Sequence, residues 1–174
     1  GAVFIHAYDN FNVISGQGTA GLELVRDYPG LDIVMGPVGG GGLMSGTSIA
    51  VKGLDPRIKV YGAEPLGADD AYRSLKSGKY IPDHKPDTIA DGLLTTLSKR
   101  TFAILSRNLD DIFTVREESI IKCMKIIWER MKIVIEPSSA VSLAVIEENR
   151  EIFRDKKVGI ILSGGNVDLR KLPF

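Results

Sequence analysis

Of cysteine and histidine the chain has almost none: Cys123, His6 and His84 are the full set in 174 residues. One thiol excludes an intrachain disulfide framework and a cysteine-based zinc site, and two imidazoles make a multi-histidine metal centre improbable. Net charge is also missing, with 22 Lys and Arg against 22 Asp and Glu. A strongly basic nucleic-acid binder needs a positive field or a dense basic stripe, so that class is set aside. No apolar run reaches the roughly 18 residues of a membrane span, and no charged segment followed by an apolar stretch opens the chain as in a secretion signal. The expectation is a protein of the cytoplasm, with no membrane and no nucleic acid among its partners. The chain opens on Gly1, and Ala2 to Ile5 reads as a strand entering a core, so it is expected to begin within a domain.

What is present suits one folded unit. Apolar residues make up 44% and charged residues 25%, the balance of a globular chain, and this length can bury about 70% of its unfolded surface. Short apolar runs alternate with segments of helical period. Strands are expected at Asp32–Gly36, Lys59–Glu64, Asp111–Val115 and Lys157–Leu162, and helices at Gly16–Asp27, Leu43–Val51 and Glu117–Met131, with one more after Pro137. In the long helix Ile120, Ile121, Met124, Ile127, Trp128 and Met131 form one stripe, and Glu117 and Glu118 suit the positive end of its dipole. Cys123 beside that stripe reads as an inert packing residue. Strand–helix alternation implies an α/β fold: an open, mostly parallel twisted sheet flanked by helices, with ligands at the carboxyl ends of the strands. The segment from Ser77 to Pro86 reads as a surface loop or a lid.

The most informative segment is Met35-Gly36-Pro37-Val38-Gly39-Gly40-Gly41-Gly42-Leu43, between a strand and a helix. Four successive glycines carry a large entropic cost unless backbone must come very close to something. Glycines at a helix start bare N–H groups to an anion, and a phosphate is the natural guest. The dinucleotide pattern fails because Ser45 stands where the third glycine belongs. The nucleoside-triphosphate pattern fails because Thr47 stands where lysine is required. A monophosphate is therefore favoured. Downstream, Gly159-Ile160-Ile161-Leu162 runs into Ser163-Gly164-Gly165-Asn166, a hydroxyl at a strand end that suits a polar contact with a ring or carbonyl, or a plain turn. Glu64-Pro65-Leu66-Gly67-Ala68-Asp69-Asp70 offers oxygen ligands for a hard cation, or equally the acidic start of a helix.

Gly39 to Leu43, Ser163 to Asn166, Ile89-Ala90-Asp91-Gly92 and Gly16-Gln17-Gly18-Thr19 occur together and in family order. The chain resembles the serine racemase and serine/threonine dehydratase branch of the fold-type-II enzymes that use pyridoxal 5'-phosphate (PLP), from Phe4 to Leu169. The resemblance implies that the backbone of Gly39, Gly40, Gly41, Gly42 and Leu43 holds the PLP phosphate, that Ser163 faces the pyridine nitrogen, and that Asn166 supports that loop. It implies a divalent cation (Mg²⁺, Ca²⁺ or Mn²⁺) on Glu64, the Ala68 carbonyl and Asp70, with Asp69 a solvated neighbour. Three weaker matches follow: Glu136 near the cofactor ring or merely a helix-start carboxylate, Asp32 for a second cation, and Lys132 for an ATP effector or merely a dipole complement.

The lysine that anchors PLP covalently, and the serine acting on the opposite face in racemases, match nothing here. By resemblance residues 1–174 are the C-terminal part of the PLP-binding large domain, without the small domain and the N-terminal segment, and catalytically inactive alone. The implied activity of the parent protein is β-elimination, racemization or both, on small hydroxy amino acids. The cation positions and Trp128-Glu129-Arg130-Met131-Lys132 point to the racemase-like group. No regulatory domain is expected beyond Leu169, and a homodimer is. The alternatives are a non-catalytic half-domain that binds phosphate or metal, and a regulatory partner of a full-length homologue.

Overall fold

The strand with the least choice of environment is Ile33–Pro37 (β1), buried at all five positions. It pairs in parallel with Lys59–Pro65 (β2) on one side and Val158–Ile160 (β4) on the other; β2 also pairs in parallel with Asp111–Val115 (β3). The four-stranded sheet runs β3-β2-β1-β4, with Val34 opposite both Val60 and Gly159. A central parallel strand covered on both faces must be apolar throughout, which is why Ile-Val-Met shows no polar alternation. The computed structural model describes residues 1–82 and 85–174.

Pleating divides β1 between two cores. Ile33 and Met35 face Glu117–Met131 (α5) and Pro137–Glu148 (α6), packing with Ile120, Met124, Ile127, Val141 and Val145. Val34 faces the opposite layer with Met44 and Val51 of Gly42–Leu54 (α2), Leu105 of Lys99–Asn108 (α4) and Val60. Phe11–Asp27 (α1) lies on α2, and Asp70–Ser77 (α3) and Arg150–Phe153 (α7) complete the α-helices among the described residues. α1 and α2 cross where Gly18 meets Gly46, so closely that a Cβ on Gly46 would overlap the Ile14 carbonyl oxygen.

Several expectations need correction. Residues 2–5 form no strand; Val3 and Phe4 are 85% and 86% exposed, with no neighbouring strand to pair them. The first helix begins at Phe11, five residues before the expected Gly16, because Asn10 caps it by accepting from the Asn12 and Val13 N–H groups. β4 stops at Ile160, short of the expected Leu162. The apolar stripe of α5 ends before Met131, which is 55% exposed in the final turn. α4 went unread because only Leu105 and Thr101 of its ten residues are buried; its start is a reciprocal cap between Ser98 and Thr101. In the expected 77–86 loop, Ser77 ends α3 and Gly78 closes it at φ +68; Asp83 and His84 lie outside the described residues. Among those described, no helix is long and apolar enough to cross a membrane.

Asp110 ties the layers at the amino end of β3. Its carboxylate accepts from Lys52 of α2 (2.5 Å), Lys59 of β2 (2.8 Å) and the Val60 N–H (2.8 Å). Burial pushes this carboxyl up, but those donors outweigh burial and hold it below the usual aspartate range. A depressed carboxylate contributes stability above its unfolded pKa and loses it as pH falls through the folded value. Urea midpoints measured across the acid range are expected to fall with pH more steeply in the wild type than in Asp110→Asn. Gly46→Ala is expected to lower unfolding free energy by about 1–3 kcal/mol, the usual cost of forcing atoms into a packed contact, as read from the same midpoints.

Candidate functional site

The carboxyl ends of β1, β2 and β4 open on one side of the sheet. After Pro37 the chain turns immediately: Val38 N–H donates to the Ala63 carbonyl (2.9 Å), and Gly39 to Gly42 then lead into α2. Gly41 is the N-cap, in the left-handed region at φ +82, with its carbonyl accepting from Ser45. Only glycine occupies that conformation without strain. The loop is also packed from behind at Gly41, where a Cβ would come 2.7 Å from Leu97 Cδ2 and 2.9 Å from Thr101 Cβ, and against the cavity-lining Tyr8 at Gly40, where a Cβ would overlap the ring. Backbone therefore fills the space that side chains would take, and the first N–H groups of α2 have no carbonyl within the helix to receive them.

That loop forms one wall of a cavity of about 350 Å³; facing it are Tyr8, Gln17, Gly92, Glu136, Ser138 and Ser163. Larger hollows, of about 550 and 580 Å³, lie against α3 and α4 and at the amino ends of β1 and β2, away from these groups. Tyr8 is fixed by its neighbours: Arg100 pairs with Asp9 (3.0 Å), donates to the Asp9 carbonyl (2.8 Å) and lies 4.2 Å over the Phe11 ring. His6 accepts from the Asp9 N–H through Nδ1 (3.0 Å).

The opposite wall is built at the start of α6. Ser139, fully buried, donates to the Gly164 carbonyl (2.6 Å), accepts from the Gly164 N–H (2.7 Å), and lies 3.4 Å from the Ser163 hydroxyl. Ser138 accepts from the Gly92 N–H (3.0 Å). Glu136 accepts from the Asn166 N–H (3.0 Å), and its own N–H donates to the Gly164 carbonyl (3.1 Å). A Cβ on Gly164 would sit 2.9 Å from the Glu136 carboxylate. Glu136, Ser138 and Ser139 thus fix the loop that carries Ser163. Neither Ser138 nor Ser139 was singled out from sequence; Pro137 placing both in the first helical turn is the signal that could have found them.

At the end of β2, Glu64 is fully buried and takes the Ala71 (3.2 Å) and Tyr72 (2.7 Å) N–H groups at the start of α3. Burial first, then the nearby Asp70 and Asp69 charges, raise its carboxyl well above the usual glutamate range, against the pull of those two N–H groups. Asp70 is 1% exposed and accepts from the Leu97 N–H (3.0 Å); Ala68 is buried in the turn between them. Asp69, a partly exposed neighbour, pairs with Arg73 (2.8 Å). Two buried carboxylates of like charge suit a hard cation. Among the described residues no three His, Cys, Asp or Glu side chains converge on one point, so a cation would also need the Ala68 carbonyl and water.

The structure thus brings Gly39 to Leu43, Ser163 and Glu136 to one opening, with Asn166 joined to it only through its N–H on Glu136, and with Glu64, Ala68 and Asp70 at a neighbouring strand end. Asp32 belongs elsewhere: it sits at the amino end of β1, some 15 Å of strand from the loop, accepting from the Lys157 N–H (2.8 Å). Lys132 closes α5 in the left-handed region at φ 60, its N–H on the Trp128 carbonyl. Trp128 is engaged within the chain, donating to the Ile135 carbonyl (2.9 Å) and stacking edge-on with Phe174. Cys123 is buried, and burial pushes its thiol up to about 11.

Comparison with known proteins agrees with this arrangement. Residues 1–164 match the family described as pyridoxal-phosphate dependent enzyme. The chain is 57% identical to a serine racemase of Dictyostelium discoideum, over 97% of this chain and 53% of that protein. It is 49% identical to a beta-hydroxyaspartate dehydratase of Paracoccus denitrificans, over 100% of this chain and 55% of that protein. The crystal structure of the Dictyostelium serine racemase superposes with a TM-score of 0.88 over 95% of this chain and 54% of that one. The chain spans about half the length of the curated relatives it matches. A glycine cradle at a helix start, facing a serine hydroxyl, on a parallel sheet that superposes on a relative 57% identical, places the chain in the family of pyridoxal-phosphate dependent enzymes.

Proposed function

We propose that this chain is the C-terminal, cofactor-holding part of the large domain of a PLP enzyme that eliminates the β-hydroxyl of a small hydroxy amino acid, inverts its α-carbon, or does both. Serine, threonine and threo-3-hydroxyaspartate are the substrates the reading favours. The observation that carries it is the Gly39–Gly42 loop, which lines the cavity at the start of α2 and whose glycines are required by the atoms packed against them. When bound, PLP supplies an electron sink for the substrate α-carbon.

The residues of this chain bind and orient. The amides of Gly39 to Leu43 and the dipole of α2 receive the phosphate. Ser163 presents a neutral hydroxyl to the ring nitrogen, and the Ser139 hydroxyl together with Glu136 holds that loop in place. A hydroxyl there does not hold a proton on the ring nitrogen as a carboxylate would, which favours loss of a β-hydroxyl over transamination. Glu64, Asp70 and the Ala68 carbonyl hold a divalent cation that offsets the repulsion between the two carboxylates. The covalent lysine and the grip on the substrate carboxylate come from sequence outside this chain. The resemblance also supports a homodimer in the cytoplasm with an ATP effector at Lys132.

Equilibrium dialysis with PLP, followed by borohydride treatment, tests the reading. The chain alone is expected to bind PLP reversibly, to release it to inorganic phosphate, and to retain none after borohydride. A polypeptide that also carries the lysine is expected to retain the cofactor covalently and to turn over L-serine or L-threonine faster with Mg²⁺. No PLP binding by either polypeptide would sink the proposal, and binding without turnover by the longer one would leave only a binding module. Gly41→Ala is expected to weaken PLP binding about tenfold or more, since a non-glycine residue at positive φ costs roughly 1–3 kcal/mol.

A further inference from the structure

One residue joins the acidic pair to the glycine loop. Leu97 is 1% exposed. Its N–H donates to the Asp70 carboxylate (3.0 Å), and its carbonyl accepts from the Tyr80 hydroxyl (3.0 Å). Its side chain lies against Gly41, so close that a Cβ there would come 2.7 Å from Leu97 Cδ2. Gly41 is the residue whose positive φ sets the direction in which α2 begins. Leu97 also directly precedes Ser98, the cap of α4, and α4 supplies the other two side chains behind Gly41, Thr101 and Leu105. Backbone held at one end by a carboxylate is therefore packed at the other against the turn that aims the phosphate-binding amides.

We propose that Leu97 is a positioning residue that couples divalent-cation occupancy at Glu64 and Asp70 to the phosphate affinity of the Gly39–Gly42 loop. The inference rests on the reading above, in which these two places take a cation and the PLP phosphate. A cation bound by both carboxylates sets where the Asp70 side chain lies, and Leu97, bonded to it through its N–H, and the wall behind Gly41 follow that placement. A close-packed interior transmits such a displacement because it has no free volume to absorb it. Tyr80, on the other side of the same peptide segment, is the second anchor.

The test is a linkage measurement on the PLP-free protein: PLP affinity by equilibrium dialysis with and without Mg²⁺, and Mg²⁺ affinity by calorimetry with and without PLP. The two ratios must be equal, because coupling between binding equilibria is reciprocal. The wild type is expected to show a factor of about five or more. Leu97→Ala is expected to bring the factor close to one while each ligand still binds alone. The volume-conserving Leu97→Met is expected to retain it, and Tyr80→Phe to reduce it. A wild-type factor of one with both ligands bound overturns the coupling and leaves the functional reading standing. So does an undiminished factor in Leu97→Ala. Should Leu97→Ala fail to fold, an undiminished factor in Tyr80→Phe overturns it. If the wild type binds neither PLP nor Mg²⁺, the functional reading falls and the coupling with it.

Discussion

At the start of α2 bare backbone lines the cavity because four successive residues have no side chain. A buried phosphate needs several N–H donors converging on it, and a helix start supplies them only if nothing stands between. Around this loop the space that a Cβ would need is already taken, by Leu93 at Gly39, Tyr8 at Gly40 and Gly42, and Leu97 and Thr101 at Gly41. The glycines are thus a fitted joint between two distant parts of the chain, residue 8 and residues 93–101, and each neighbour acquires a role by contact with them. That explains why residues 8–11, with no regular structure before Phe11, are pinned by Arg100: Tyr8 needs a fixed place if it is to close one side of the loop.

Rigidity at the loop draws on the sheet beneath it. β1 is covered on both faces, and its successive residues serve different cores, so the strand cannot shift register without exposing one set. The crossing of α1 on α2 at Gly18 and Gly46 fixes the helix whose first turn is the cradle. On the other face, α6 uses Ser138, Ser139 and Ala140 in its first turn, which lets it approach Gly92 and Gly164 closely. Small residues recur where two backbones must nearly touch, and larger ones fill the layers farther from the opening.

The parts legible in the sequence were those with strong local signals. Ile33 to Gly36 is an unbroken apolar run into glycines, and α5 has a 3.6-residue stripe; the strand and the helix both form, the helix with its stripe ending before Met131. The glycine loop was legible because a run of four glycines has few inexpensive explanations. What escaped lacked a local signature. Ser139 is one hydroxyl among many, and only the fold brings it to Gly164, 25 residues away in sequence. Leu97 reads as an ordinary apolar residue ahead of a capping serine; its bonds to Asp70 and Tyr80 are tertiary. Residues 2–5 misled for the converse reason: the pattern of a strand is present, but a strand needs a neighbour to pair with.

On the proposed reading, Glu64 and Asp70 combine a structural role with a ligand-binding one. Glu64 alone has a sufficient structural explanation, since it satisfies two N–H groups at the start of α3 and faces the positive end of that helix. Asp70 weakens that account. A second carboxylate, also buried, adds repulsion to a site where desolvation is already costly, and its bond to Leu97 N–H could be made by a neutral side chain. On the proposed reading a divalent cation is the third member of this acidic pair. Because Leu97 links Asp70 to Gly41, the same cation would act at a distance on the loop without touching it.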